Sequence, residues 1–194
     1  MMRLILAPFA ALALAGCLSL GGAEPPPALL TLTPAVSAPS GSGTTGTSAD
    51  ALTVIEPEAP ARLAVTRVPV QVDDANVAYL KDAVWVEKPA RLFRRLLSET
   101  IGAKTGRIVI DGLDPTIKTT QQLRGRLLDF GYDARTSSVV VRFDAIRAGA
   151  EGSVTTRRFE SIVPGVAAEA GPVGEALNRA ANDVAGQVAD WMAE

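Results

Sequence analysis

The chain of 194 residues has one cysteine, Cys17, and no histidine. The common general-base, nucleophile and zinc arrangements therefore lack the side chains that build them. Carboxylates remain. Asp111 and Asp114 stand in "IDGLDP", a turn sequence in which aspartate caps backbone groups. Glu87 and Lys88 precede a helix and read as a solvated first-turn pair. The arginine pairs of "RRLL" and "TTRRFE" read as solvated faces of their elements. "GSGTTG" is followed by no Lys-Ser/Thr and opens no helix, so it is not a phosphate loop. The chain reads as non-enzymatic, with no catalytic residue, cofactor or metal site.

One thiol remains to be explained. Cys17 ends "MMRLILAPFAALALAGC". This stretch has one positive charge, Arg3, then an apolar run from Leu4 to Leu14, then small Ala15 and Gly16. That is the plan of a secretory signal, and it is too short to span a bilayer comfortably. Leu14-Ala15-Gly16-Cys17 resembles the bacterial lipobox. The resemblance implies a diacylglyceryl group on the Cys17 thiol, cleavage just before it, and acylation of the new amine. One acyl chain holds a protein to a membrane marginally, and two or three hold it stably. Leu18, rather than aspartate, follows the cysteine. By the sorting pattern of enteric lipoproteins that implies the periplasmic face of the outer membrane.

Loss of residues 1–16 removes one charged group, Arg3, and takes the net charge from −2 to −3. So small an imbalance disfavours nucleic acid and a polybasic membrane surface as partners. With one cysteine there is no intramolecular disulfide, and stability must come from a packed core. No later segment is long and apolar enough to cross a membrane.

Three parts are expected: a signal at 1–16, a lipidated tether at 17–51, and a single globular domain at 52–194. The tether is rich in Ala, Pro, Gly, Ser and Thr, a composition that does not offset ordering entropy. As a random coil its roughly 35 residues would span about 30–35 Å. It is interrupted by "LLTLTP" at 29–34, which has strand character and could dock on the domain as an edge strand.

Within the domain, "RLAVTRVPVQV" (62–72) alternates as a strand, and Pro69 favours an edge or an end. Pro89 opens a helix on which Leu92, Phe93, Leu96, Leu97 and Ile101 recur at helical spacing. Gly102 or Gly106 would end it. "RIVI" at 107–110 follows as a strand. Residues 122–133, 139–148 and 153–163 read as three strands joined by short turns, an antiparallel meander. Gly125 and Gly131 mark bends in the first of them. A closing helix at about 172–192 carries the apolar stripe Val173, Leu177, Val184, Val188 and Trp191. The fold class is α+β: a mostly antiparallel sheet with two helices packed on one face.

Tyr79 and Trp85 are conspicuous in "AYLKDAVWVEKP". They either seal the entry to the first helix or anchor a partner, since such aromatics dominate interface hot spots. With Arg91, Arg94 and Arg95 they form the candidate partner-binding surface.

The order and spacing of these features resemble the ABC-type transport auxiliary lipoproteins, paraquat-inducible lipoprotein C-like. The matching stretches are the lipobox, "LLTLTP", "NVAYLKDAVWVEKPARLFRRLLSETI", "VVVRFDAIRA", and "RRFESIVPG" before a helix ending "VADWM". Two departures are "LLTL" in place of paired tyrosines and the insertion at 40–48. The resemblance implies a non-catalytic auxiliary component of a mammalian-cell-entry (MCE) type system that moves phospholipids or other hydrophobic molecules across the envelope. It implies as partners an MCE-domain protein and an ABC ATPase/permease complex, and in some relatives a homo-oligomeric ring. The residues leave open an envelope adaptor, a peptidoglycan-synthase-activator-like lipoprotein, and an enzyme of unusual type.

Overall fold

The structure, a computed structural model, describes residues 28–149 and 152–194. The signal segment, Cys17 and Leu18 lie outside these residues. The elements in chain order are β1 (Leu52–Val54), a 3-10 turn (Ala61–Leu63), β2 (Arg67–Gln71), β3 (Val77–Val84), α1 (Pro89–Thr105), β4 (Val109–Asp111), β5 (Gln121–Asp133), β6 (Ser138–Ala148), β7 (Val154–Val163) and α2 (Ala170–Ala193).

The spine of the sheet is β5. One of its edges pairs antiparallel with β6, from Gln122↔Ala148 to Asp133↔Ser138, with a bulge between Leu127 and Asp129. The bulge falls between the two glycines that marked a bend. β7 extends this meander antiparallel to β6. The other edge of β5 is divided. Its start runs parallel to β1 (Leu52↔Gln121) and its end parallel to β2 (Val70↔Tyr132). β4 lies parallel beside β1, and β3 antiparallel beside β2.

The sheet is therefore mixed, which corrects the mostly antiparallel expectation. Antiparallel neighbours can be joined by short turns that are visible in the sequence, whereas parallel neighbours need a crossover. β1, three residues long, is too short to show alternation, while β4 (Val109–Asp111) forms at the end of the strand expected at 107–110. The strand expected at 62–72 is a turn at its start and a strand only from Arg67. β3 was not foreseen. β2 is not an edge either, since it lies between β3 and β5. Pro69 sits where the β2–β3 register shifts, so its missing N–H falls at an existing irregularity.

Both helices form where the periodicity placed them. Pro89 occupies the first turn of α1, and Gly106 closes it at φ 68°, in the left-handed region that suits glycine. The two helices pack side by side on the face of the sheet that carries Phe130, Phe143 and Phe159. Phe93 of α1 sits 5.3 Å from Phe143 and 6.2 Å from Phe130, ring centre to ring centre. Trp191 of α2 sits 5.6 Å from Phe159. Leu177, Val184 and Val188 are fully buried.

Residues 28–51, placed in the tether by composition, lie against this domain from Leu30 onward. Leu30 N–H donates to Val84 O at 2.7 Å, and Val86 N–H to Leu30 O at 2.9 Å. The expected edge strand is thus a single parallel bridge between Leu30 and Trp85. The Leu30 side chain lies over Gly174 of α2, where an added Cβ would come within 2.5 Å of Leu30 Cδ2. Beyond it the backbone is held by side chains of the helices. Thr33 N–H donates to Asn178 Oδ1 at 2.9 Å, Ala35 N–H to Asn182 Oδ1 at 2.7 Å, and Ala38 N–H to Glu99 Oε1 at 2.9 Å. Asn182 Nδ2 donates in return to Thr33 O at 2.9 Å. An asparagine amide offers both a donor and an acceptor, so it can stand in for a neighbouring strand.

Candidate docking surface

The candidate residues around the entry to α1 separate into three environments. Trp85 is in the core, at 1% exposure, with its ring centre 5.5 Å from that of Phe130. It packs against Phe130 of the sheet and presents nothing to a partner. Tyr79, on β3, is half-buried, with the Arg67 guanidinium 3.9 Å above its ring centre. Among the described residues no hydrogen bond, ion pair or ring contact joins Tyr79 to the arginines of α1.

Arg91 and Arg95 are exposed and share one carboxylate. Arg95 Nη1 lies 2.5 Å from Glu87 Oε1, and Arg91 Nη1 lies 3.5 Å from Glu87 Oε2. Arg91 also lies 3.7 Å from Glu56. The Arg95 hydrogen bond holds the Glu87 carboxyl below its ordinary value. Glu87 thus pairs with α1 arginines rather than with Lys88, its neighbour in the sequence.

Arg94 points elsewhere. Its side chain is 16% exposed, and its Nη2 donates to Asp111 Oδ2 at 3.3 Å. Its Nε lies 3.1 Å from Asp111 Oδ1 without hydrogen-bond alignment. Ser98 Oγ completes this site by donating to Asp111 Oδ1 at 3.0 Å. Asp111 is therefore a structural partner of α1. Asp114 caps its own turn, accepting from Thr116 N–H at 2.9 Å and from Thr116 Oγ1 at 2.6 Å.

Sequence reasoning missed the face of the sheet that the helices leave uncovered. Across β5, β6 and β7 the register sets Asp129 opposite Arg142 and Arg142 opposite Glu160. One row along, it sets Arg126 opposite Asp144 and Asp144 opposite Arg158. Arg158 grips Asp144 with two bonds, of 2.6 and 2.8 Å, and lowers its carboxyl below the ordinary value. Arg142 pairs with both Asp129 and Glu160. A polar cleft of about 360 Å³ on this face is lined by Arg62, Asp129, Asp133, Arg135 and Arg142 among others. The signal was present as alternate charged residues at 122–133, 139–148 and 153–163, but their pairing depends on register. Among the described residues no group of three or more His, Cys, Asp or Glu could hold a metal ion. None of the described helices is long and apolar enough to cross a membrane.

The sequence pattern of the ABC-type transport auxiliary lipoprotein component family matches residues 30–189. The chain belongs to this family. The match begins at the Leu30 bridge, so it takes in the segment laid over the helices as well as the sheet. Two solved structures share the auxiliary-lipoprotein fold seen here. Protein XCC0632 from Xanthomonas campestris has 15% sequence identity and a TM-score of 0.70, over 85% of this chain and 94% of that one. The other, described as an uncharacterized protein, has 14% identity and a TM-score of 0.65, over 77% and 96%. No curated protein matches the sequence.

Proposed function

We propose that this auxiliary lipoprotein is anchored at the periplasmic face of the outer membrane and serves an MCE-type ABC transport system. It acts there as a non-catalytic contact subunit in the movement of phospholipids or other hydrophobic molecules across the envelope. The observation that carries this reading is a family match over residues 30–189 directly behind an acylation motif at Cys17. Acylation of Cys17 supplies the membrane attachment. Changing Cys17→Ser is expected to abolish labelling by radioactive palmitate, and equal labelling of the variant would refute the anchor.

Because Leu30 is held by Val84 and Val86, the lead from Cys17 to the domain is shorter than a tether running to residue 51. As a random coil it would span about 20 Å, against about 30–35 Å for a tether running to residue 51. The domain therefore works close to its membrane, and tethering raises the effective concentration for docking.

The docking surface in this reading is the exposed side of α1 with Arg91 and Arg95. Their ion pairs with Glu87 and Glu56 are exposed and worth little, so an acidic partner can displace them. The test is Arg91→Glu with Arg95→Glu, which leaves the Arg94–Asp111 pair untouched. The folded protein is expected to lose copurification with the MCE subunit. Undiminished copurification would rule out this surface.

A further inference from the structure

We infer that residues 30–51 form a releasable strap, a reserve of tether that is seated on the helices and comes away as a unit to lengthen the domain's reach. The fastening of this segment differs from that of the domain beneath it. Leu30 alone meets a strand end, through Val84 O and Val86 N–H. Thr33, Ala35 and Ala38 are held by the side chains of Asn178, Asn182 and Glu99. Leu30, Leu32 and Pro34 are half-buried, and residues 35–50 are exposed. Near the far end Ala49 O accepts from Thr120 Oγ1 at 2.8 Å.

The loose fastening stops at Leu52. Its backbone is paired on both sides, with Val109 of β4 and Gln121 of β5. Ala51 and Leu52 are at 1% and 0% exposure. Segments with few buried apolar contacts and exposed hydrogen bonds open locally, at free energies well below that of the core. Release therefore begins at Leu30 and ends before Leu52.

Leu30 is the latch, and Gly174 is its seat. The three atoms nearest to a Cβ added at Gly174 are Cδ2, Cδ1 and Cγ of Leu30, at 2.5, 3.6 and 3.6 Å. This turn of α2 leaves its surface to the strap. A side chain at position 174 would evict Leu30 before it disturbed the core.

The gain in reach follows from chain length. With the strap seated, the lead from Cys17 to Leu30 spans about 20 Å as a random coil, and a lead to residue 51 spans about 30–35 Å. Under load, residues 30–51 themselves stretch to about 75 Å. A seated strap concentrates the domain near its membrane. A released one lets it stay engaged with a partner farther away. The gain in reach rests on the anchor at Cys17, whereas release of the strap does not.

The test follows amide hydrogen exchange in the full chain in non-ionic detergent. Val86 is the reporter, because its N–H belongs to the domain and its acceptor, Leu30 O, belongs to the strap. Corrected for intrinsic rates, Leu30, Ala35 and Val86 are expected to share one opening. They should exchange at least about a hundredfold faster than Phe143. Leu30→Cys with Gly174→Cys places two thiols where Leu30 Cγ and the added Cβ lie 3.6 Å apart, within reach of a disulfide. Oxidised, this pair should slow Val86 toward the rate of Phe143. Reduced, it should exchange at least as fast as the wild type. Reach is read in phosphatidylcholine vesicles doped with a dansyl lipid, as energy transfer from Trp85 and Trp191 to the dansyl groups. Gly174→Leu should lower the transfer relative to the oxidised pair, and so should reduction of that pair, which covers the case in which Gly174→Leu misfolds. Val86 exchanging no faster than Phe143, or indifferent to the disulfide, would overturn the inference. So would equal transfer in the oxidised and reduced pair. A chain that does not stay with the vesicles refutes the anchor instead, and the exchange rates then decide on the strap alone.

Discussion

The two faces of one sheet are built from the same strands and do opposite work. On the helix-covered face β5 and β6 carry Leu123, Leu127, Phe130, Val141 and Phe143, all at 1% exposure or less. On the uncovered face the intervening residues are Arg126, Asp129, Arg142 and Asp144, paired in rows. A period of two separates the sets. The covered face holds the fold by removing apolar area from water, roughly 25 cal/mol per Å². The charged face contributes little to stability, since exposed ion pairs seldom do. What it offers instead is a pattern that another surface can match or fail to match.

Emptying the covered face should give the largest effect. Phe93 has no exposed surface and lies between Phe130 and Phe143. Phe93→Ala should cost about 3–5 kcal/mol, read as a lower midpoint in urea. An unchanged midpoint would show that the two faces do not divide the work in this way.

A smaller loss tests how the covered face is closed. Asn182→Ala removes the side chain that bonds both Ala35 N–H and Thr33 O. Net hydrogen-bond contributions are about 0.5–1.5 kcal/mol each, so a loss of about 1–2 kcal/mol is expected, confined to the strap. Amide hydrogen exchange should quicken at Ala35, whose N–H loses its acceptor, and stay unchanged at Phe143. Equal quickening at both would show that the strap and the core open together.

The smallest effect belongs to the charged face. Arg158 lowers the folded-state value of Asp144, so this pair contributes fully above the unfolded aspartate value of about 3.9. The contribution fades as pH falls through the lowered folded value. Asp144→Asn should leave the unfolding midpoint at pH 7 nearly unchanged and reduce its loss below about pH 4. A large loss at pH 7 would mean that this face supports the fold after all.

Parts of this architecture were legible because they are local. The spacing of Leu92, Phe93, Leu96, Leu97 and Ile101 specified α1, and Pro89 and Gly106 bounded it. The turn-like sequences "ARTSS" and "AGAEG" announced the β5–β6–β7 meander. The surface at α1 was half legible. Arg91 and Arg95 are exposed as composition suggested, while Arg94 is turned to Asp111 and Trp85 to Phe130. Sequence alone does not tell a buried tryptophan from an exposed one when the strand that carries it, β3, goes unrecognised.

By itself the sequence determined two helices, five of the strands in whole or in part, an acylation motif, and a composition without histidine. Each depends on residues near one another along the chain: a helical period, a turn, a cleavage pattern, a count. Tertiary structure alone decided the parallel partners of β5, the fastening of Leu30 under Trp85 and over Gly174, and the signs that meet across β5, β6 and β7. These depend on which distant residues share an edge or a face. A shift of one residue in register would send every one of those side chains to the opposite side of the sheet.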